Sequence, residues 1–268
     1  MSFAIESEEL IAPVAHDGAS FAPAEESRRY FRIKYSFGRV LAALLLIPAL
    51  PVIGLLILIV RLTSRGPGIY RQVRVGAGGR GYVMYKIRTM RHDAESGSGP
   101  VWAAPNDART TGLGQFLRKV HLDEFPQLLN VIKGEMALIG PRPERPEFTQ
   151  LLARQLPGYL DRLQVRPGIT GLAQINLPPD TDLDSVRRKL VLDLEYIRQA
   201  GAWLDLQILA CTALRLVGCS GQRASRLTRL DRYMKYVGRL FRDQEAAARL
   251  RAKGTRINAE VSSEVANV

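Results

Sequence analysis

The stretch "VLAALLLIPALPVIGLLILIV", residues 40 to 60, contains no charged or strongly polar side chain. As a helix it would be about 30 Å long, which is enough to cross the hydrocarbon core of a bilayer. The run predicts a membrane segment better than it predicts a cleaved secretory signal, because a long segment precedes it and no small-residue cleavage pattern follows it. It therefore decides the fold class, which we expect to be an α+β monotopic membrane protein.

Two prolines, Pro48 and Pro51, lie near the middle of this run. In an ordinary helix interior each would cost about 3 kcal/mol, so we expect the helix to break there. A straight span would also place one of two basic clusters outside the cell, against the positive-inside tendency. We therefore favour a re-entrant helical hairpin, and an ordinary span with a proline kink is the alternative. The clusters are Arg28, Arg29, Arg32, Lys34 and Arg39 before the run, and Arg61, Arg65, Arg71 and Arg74 after it.

The charge balance of the 268-residue chain points to a polyanionic partner. There are 38 Lys and Arg against 26 Asp and Glu, which gives a net charge of +12. Anionic lipid, phosphorylated substrates and nucleic acid all fit this charge. Aromatic residues for base stacking make up only 7% of the chain, so nucleic acid is not expected. Two cysteines and three histidines are too few for a disulfide framework or a Cys/His metal site.

Composition divides the chain into five segments. We expect a disordered tail (1–27), a juxtamembrane and re-entrant membrane helix (28–65), the main domain (66–218), a basic amphipathic extension (219–253) and a second disordered tail (254–268).

Patterns within the main domain predict a small, mostly helical unit with a short β-hairpin. The predicted elements are a hairpin over 69–90 around a Gly-rich turn, a loop over 94–108, a helix from Gly112, a strand at "MALIG", and helices over about 183–199 and 203–217. The last of these helices is apolar enough to lie against lipid.

The extension carries an apolar helical face surrounded by arginine and lysine. It could lie on anionic lipid, pack on a partner subunit or cover the core, and core packing is the default. The apolar residues are Leu227, Leu230, Tyr233, Met234, Val237, Leu240 and Phe241, and the basic ones are Arg226, Arg229, Arg232, Lys235, Arg239 and Arg242.

Two adjacent carboxylates, Asp123 and Glu124, lie in "HLDEFPQLLNVIKGE", residues 121 to 135. An acidic first turn followed by Pro126 is typical of a helix start, so capping alone could explain them. Basic residues elsewhere suggest more, because arginine forks and lysine suit phosphate oxygens. With Lys86, Arg88, Arg118 and Arg142 the acids could form a diphosphate site, in which one carboxylate serves Mg²⁺ and the other is free to attack. The alternative is that the cations only neutralise surface acids.

The series "IYRQVRVG", "YKIRTM", "GQFLRKVHLDEFPQLLNVIKGEMALIGPRP" and "VRPGITGLAQIN" resembles the bacterial sugar transferase family. These are small monotopic polyprenyl-phosphate phosphoglycosyl transferases. The resemblance covers about 34 to 218, including the proline-containing apolar run. It implies transfer of a sugar 1-phosphate from a UDP-sugar to undecaprenyl phosphate at the cytosolic face of the bacterial inner membrane, which starts an exopolysaccharide, capsule or O-antigen.

The resemblance also implies roles for individual residues. Asp123 matches the nucleophile of the family and Glu124 its Mg²⁺-associated acid. Arg142 matches a phosphate-binding arginine, and Lys86 and Arg118 match basic residues of the active site. Arg166 and Gln174 match motif positions that we expect to contact substrate.

Three features depart from the family pattern. Gly38 replaces a common aspartate, Leu172 replaces a frequent tryptophan, and the segment after Gly218 is longer than usual, which suggests an added surface such as a homodimer contact. An alternative of another class is a non-catalytic, membrane-anchored basic protein that binds anionic lipid or nucleic acid. The sequence does not identify the sugar, the pathway or the oligomeric state.

Overall fold

The computed structural model describes residues 25–95, 101 and 107–242. Its helices are α1 (Glu25–Thr63), α2 (Gly112–Lys119), α3 (Leu128–Lys133), α4 (Pro146–Gln155), α5 (Leu172–Asn176), α6 (Leu183–Gln199), α7 (Ala202–Leu216), α8 (Gly221–Leu227) and α9 (231–242). Its strands are β1 (Ile69–Val75), β2 (Gly81–Ile87), β3 (Ala137–Ile139) and β4 (Gly168–Thr170). Residues 1–24 and 243–268 lie outside the described residues, as does most of the predicted 94–108 loop. The predicted disordered tails fall almost entirely there.

The predicted hairpin is confirmed as an antiparallel β1–β2 pair, with Ile69 opposite Ile87 and Val75 opposite Gly81. Its turn contains Gly78 and Gly79, whose φ angles of 66° and 79° favour glycine. Tyr82 and Met84 are buried on one face of β2, so the period-two pattern of the strand directs that face into the core.

A second sheet pairs β3 with β4 in parallel. The "MALIG" strand is thereby confirmed, whereas its partner β4 was not predicted. The two strands approach closely at glycines, since a Cβ on Gly168 would lie 2.0 Å from the Gly140 nitrogen. A residue with a side chain at position 168 would push β3 and the turn that follows it away from β4.

The apolar run lies in α1, which continues through Pro48 and Pro51 as one assigned helix, so the expected break does not appear in the secondary structure. Within the described residues α1 is the one helix long and apolar enough to cross a membrane. One side packs against the domain, with Phe31 in one apolar cluster and Ala42, Ala49, Ile53, Leu56 and Val60 in another. The other side exposes Ile33, Phe37, Val40, Leu44, Leu45, Ile47, Leu50, Val52, Leu55, Leu58 and Leu62.

Polar contacts hold both ends of α1 to the same domain. Near its start, the Lys34 ammonium lies 2.8 Å from the Asp205 carboxylate of α7, and the Tyr30 hydroxyl donates to the same carboxylate at 2.7 Å. Just after its end, Arg88 of the β2 edge donates to the carbonyls of Ser64 at 2.9 Å and Arg65 at 2.6 Å. The domain therefore fixes the chain on both sides of the apolar run.

Helix α7 buries polar side chains beside the apolar Leu204, Ile208 and Cys211 and exposes other apolar side chains. Its polar Asp205 and Gln207 are buried, whereas Trp203 is 70% exposed and Leu206 is 55% exposed. Leu216 and Val217 continue this exposed apolar surface at the end of the helix. Such a face is compatible with a helix that lies on a lipid surface, as the sequence predicted.

Helix α9 belongs to the basic amphipathic extension, and it covers the core, as the default interpretation predicted. Leu230, Tyr233 and Val237 are buried in the apolar cluster that also contains Tyr196 and Ile208 of α6 and α7. Its basic residues Arg232, Lys235, Arg239 and Arg242 remain exposed.

Candidate functional site

The two adjacent carboxylates lie on a 3₁₀ helix, Leu122–Gln127, that leads directly into α3. His121 precedes it with a φ of 56°, an unusual left-handed backbone for a residue with a side chain. The sequence predicted a helix start here, but a 3₁₀ segment of six residues offers much less than the N-terminus of a long α-helix. The side chains around the acids must therefore supply most of the electrostatics.

Glu124 is paired with two cations. Its Oε1 atom lies 2.7 Å from the Lys86 ammonium and accepts a hydrogen bond from Arg142 Nη2 at 2.9 Å. Burial opposes ionisation of Glu124, but Arg142 and Lys86 outweigh it and hold its pKa far below the usual range. Glu124 is therefore a permanent carboxylate that fixes the positions of Lys86 and Arg142.

Asp123 is 6% exposed and, among the described residues, forms no hydrogen bond or ion pair. Burial raises its pKa above the usual range for aspartate, and the adjacent Glu124 acts in the same direction. The charges of Lys86, Arg118 and Arg142 counter this effect. Asp123 is thus an unpaired carboxylate amid three cations, which is the environment expected of a nucleophile that receives a phosphoryl group.

Lys86 is positioned by the docking of β2 on α3. Asn130, which is fully buried, donates to the Val83 carbonyl at 2.7 Å and accepts from the Tyr85 amide at 3.2 Å. Lys86 lies on the same face of β2 as the buried Tyr82 and Met84, and so it points toward the 3₁₀ helix. Sequence reasoning missed Asn130, although an asparagine inside an apolar run is a signal that could have revealed it.

Arg118 reaches the site from α2. Its Nε donates to the Thr89 hydroxyl at 2.9 Å, and Nη1 donates to the Thr110 hydroxyl at 3.3 Å. The approach depends on Gly114, because a Cβ there would lie 2.0 Å from the Thr89 carbonyl oxygen. Its hydrogen-bond partners are neutral, and the charge of Arg118 lowers the pKa of Asp123.

The turn after β3 that presents Arg142 is held by four consecutive backbone carbonyls. The Pro141 carbonyl accepts from the Gly168 amide, that of Arg142 from Arg162 Nη2, that of Pro143 from Arg74 Nη1 and that of Glu144 from the Val75 amide, at 2.8–3.0 Å. These donors come from three separate segments of the chain, namely β1, the 3₁₀ segment Tyr159–Gln164 and β4. The turn is therefore fixed before any ligand arrives.

Arg162 is itself fixed by a buried ion pair. Its Nη2 and Nε atoms donate to Asp193 of α6 at 2.6 and 3.0 Å, and both side chains are 3% exposed. Through the carbonyl of Arg142, the pair connects α6 to the turn. Arg162 and Asp193 were not among the sequence candidates, because nothing in the local sequence shows that they meet.

Arg88 does not join this cluster. Its guanidinium is 5% exposed and is occupied by the backbone of Ser64 and Arg65 and by the Ser64 hydroxyl. These contacts tie β2 to the end of α1. The structure therefore supports an anchoring role for Arg88 in place of the expected phosphate contact. Arg88 comes just after the last residue of β2, and its side chain reaches the end of α1.

Arg166 and Gln174 also lie outside the cluster. Arg166 stacks over the ring of Tyr35 in α1 at 4.3 Å. Gln174, in α5, donates to the Ile169 carbonyl at 2.8 Å, and its buried Oε1 has no partner among the described residues.

The site also fits the chemistry of Mg²⁺. This ion binds one or two carboxylates together with substrate phosphates and water. Within the described residues both oxygens of Asp123 lack a hydrogen-bond partner, and Glu124 uses Oε1 toward its two cations. Across the described ranges no group of three or more His, Cys, Asp or Glu side chains could hold a metal. Asp123 and Glu124 would thus hold the ion only together with substrate oxygens.

Comparison with known proteins found a matching family model and several relatives. A family model described as bacterial sugar transferase matches residues 29–218. A Bacillus subtilis (strain 168) protein, provisionally named an undecaprenyl-phosphate N-acetylgalactosaminyl 1-phosphate transferase, is 46% identical over 144 residues, which are 54% of this chain and 80% of that protein. UDP-glucose:undecaprenyl-phosphate glucose-1-phosphate transferases of Caulobacter vibrioides and Escherichia coli (strain K12) are 39% and 40% identical over 180 and 178 residues.

Those last two matches cover 66% of this chain, but 67% of the Caulobacter protein and only 38% of the Escherichia protein. The chain thus spans less than half the length of some relatives. The family match nevertheless covers most of the chain and includes every residue of the cluster. The chain therefore belongs to the bacterial sugar transferase family.

Proposed function

We propose that this protein transfers a sugar 1-phosphate from a UDP-sugar to undecaprenyl phosphate, giving undecaprenyl-diphosphate-sugar and UMP. It would act at the cytosolic face of the bacterial inner membrane and start a polysaccharide. The observation that carries the proposal is the unpaired, buried carboxylate of Asp123 among Lys86, Arg118 and Arg142. A protein that merely bound anionic lipid would gain nothing from a carboxylate in that position.

The reaction would proceed in two displacements. An Asp123 carboxylate oxygen attacks the phosphorus next to the sugar, a P–O bond forms to Asp123, and the bond to the bridging oxygen breaks as UMP leaves. A phosphate oxygen of undecaprenyl phosphate then attacks the same phosphorus and breaks the bond to Asp123, which regenerates the carboxylate. Lys86, Arg118 and Arg142 stabilise the charge on the phosphate oxygens. Mg²⁺ held by Asp123, Glu124 and the substrate would add charge neutralisation at those oxygens.

The test uses the full chain in nanodiscs that contain undecaprenyl phosphate. A panel of UDP-sugars is added with Mg²⁺ and UMP is measured, because the relatives differ in the sugar in their names. We expect UMP release with at least one sugar, loss of it in EDTA, and ping-pong kinetics. Polyanion binding that weakens in moderate salt without any UMP release would favour a non-catalytic binding protein instead.

We further infer that α1 re-enters the membrane surface instead of crossing it. Lys34 and Ser64 would be about 45 Å apart in a straight helix, which exceeds the hydrocarbon thickness of about 30 Å. Both positions are nevertheless bound to one folded domain through polar contacts. Since one compact domain lies on one side of a bilayer, this arrangement supports a path that enters and returns.

The prolines provide a test of that path. A protease tag fused before residue 1 should be cleaved in inverted membrane vesicles and protected in intact spheroplasts. In a Pro48→Leu, Pro51→Leu variant the stiffer helix should span the membrane, and a measurable fraction of the tags should become cleavable in spheroplasts. A tag after residue 268 serves as the control and should stay cytosolic in both proteins. A wild-type tag cleaved only from the outside would contradict the re-entrant path.

The pH dependence of UMP release in the absence of acceptor should report the ionisation of Asp123. Burial raises the pKa of Asp123. As the pH is lowered, the rate of UMP release should therefore begin to fall at a pH above the usual pKa range of aspartate. Lys86 lowers that pKa more than any other cation, so Lys86→Met should move the acidic limb to higher pH. Lys133→Met, which removes an exposed lysine on the Tyr85 ring, should leave the limb in place. An unmoved limb in the Lys86 variant would argue against Asp123 as the titrating group.

A further inference from the structure

Arg39 in α1 and Arg166, which packs against α1, lie near the start of the apolar run. Arg39 is the last charged residue before that run, and its guanidinium lies against the backbone of Gly134 at the end of α3. A Cβ at position 134 would be 1.9 Å from Arg39 Nη2 and would displace the guanidinium, and the φ of 81° at Gly134 also favours glycine. Arg166 stacks over Tyr35, one helical turn before Arg39, and its backbone amide donates to the Tyr35 hydroxyl at 2.9 Å.

No acid compensates this pair within the part of the chain that the structure describes. Neither guanidinium forms an ion pair or donates a hydrogen bond there. Burial and then the charge of Arg39 lower the pKa of Arg166, while only Tyr35 acts in the opposite direction. Arginine does not lose its proton in proteins, so two neighbouring guanidinium groups remain charged and repel each other. An anion bound between them would remove that cost.

The position of Arg39 has a partial structural explanation. The free carbonyls at the end of α3 attract a cation, and Gly134 gives it access. This accounts for one arginine but not for a second one beside it. By contrast, the buried Arg162 meets the carboxylate of Asp193.

We propose that Arg39 and Arg166 bind the phosphate group of a membrane lipid. Arg39 borders the apolar run, and Phe37 and Val40 next to it are exposed, so the pair lies at the level where lipid phosphates lie. Arginine forks bind phosphate oxygens in a bidentate manner. The lipid could be a bilayer phospholipid or a polyprenyl phosphate, because both present a phosphate at this level.

The pair lies apart from Asp123. Gly134 follows α3, whereas Asp123 lies at the start of the preceding 3₁₀ helix, about 15–20 Å away along the two helical segments. Neither Arg39 nor Arg166 is among the charges that act most on Asp123, so a lipid phosphate held by the pair would lie outside the cluster around Asp123. The inference goes beyond the proposed function and can be tested without turnover.

The test measures lipid binding by the full chain in detergent micelles, followed by native mass spectrometry. The probes are farnesyl phosphate, a short-chain phosphatidylglycerol and inorganic phosphate. The Arg39→Gln, Arg166→Gln variant is compared with Arg32→Gln, Arg61→Gln, which removes two exposed arginines of α1. We expect the first variant to weaken binding of at least one lipid probe by tenfold or more and the control to change it less than twofold.

The pattern of probes identifies the lipid. Weaker binding of farnesyl phosphate alone assigns the site to a polyprenyl phosphate, and weaker binding of phosphatidylglycerol assigns it to a bilayer phospholipid. Three results would overturn the proposal. The variant could bind both lipids as tightly as the wild type does, the control could lose as much binding as the variant, or inorganic phosphate could bind as tightly as the lipids. Thermal unfolding verifies that the variants are folded. If the double variant does not fold, the single variant Arg39→Gln, at an exposed position, is tested in its place.

Discussion

Asp123→Asn should abolish sugar-phosphate transfer while leaving the protein at least as stable as the wild type. The amide has almost the same shape but cannot form the covalent bond to phosphorus, so UMP release should fall by on the order of 10⁴-fold or more. Incubation with a UDP-sugar radiolabelled in the sugar should label the wild-type chain and leave the variant unlabelled. Both results follow from the proposal that Asp123 is the nucleophile.

The expected stability of the Asp123→Asn variant follows from the raised pKa of Asp123. A folded-state pKa above the unfolded value means that ionisation of Asp123 at neutral pH opposes folding. Asparagine removes that cost, so the unfolding temperature should be unchanged or higher. A variant that keeps near-normal UMP release would remove the nucleophile assignment, and one that loses activity together with its fold would show that Asp123 is structural.

Asp193→Asn should destabilise the fold by about 3–5 kcal/mol, because it leaves the charge of Arg162 buried without its partner. Arginine cannot escape this cost by losing its proton. Arg162 would keep only the Arg142 carbonyl and the Tyr159 hydroxyl, so the turn that carries Arg142 should also move. UMP release should therefore decline even under conditions where the variant is folded. Denaturant unfolding followed by circular dichroism measures the first effect.

The matched control is Asp184→Asn on the same helix. Asp184 pairs with Arg187 on the surface, where its side chain is 70% exposed, so the loss should be below about 1 kcal/mol. If Asp193→Asn cost no more than this control, the buried ion pair would not be what holds the turn.

Much of the fold could be predicted because its elements leave local patterns. The apolar positions of α6 and α7 recur with helical spacing, and the predicted ranges of 183–199 and 203–217 agree with the observed helices to within a residue or so. The β1–β2 hairpin has alternating residues around a Gly-rich turn. Strand β4 has only three residues and no such pattern, because pairing with β3 makes it a strand.

The candidate site likewise contains residues that could be predicted from the sequence and residues that could not. Asp123, Glu124, Lys86, Arg118 and Arg142 could be named from types and motifs, and the structure brings them together. Arg88 is also a cation and lies two positions after Lys86, yet it follows the last residue of β2 and binds the backbone at the end of α1. Asn130, Arg162 and Asp193 act through contacts between residues distant in sequence, which a single sequence does not reveal.

The packing of α1 limits how this protein can be simplified. Phe31 at one end of α1 and the row from Ala42 to Val60 fill two separate apolar clusters, and the latter contains Tyr82, Met84 and Leu117 beside the site. Removing α1 to obtain an enzyme that needs no detergent would expose both clusters to water. Strand β2 and helix α2, which carry Lys86 and Arg118, would then lose residues against which they pack. Because α1 shares both clusters with the domain, substitutions meant to improve solubility should be confined to the outward face of α1.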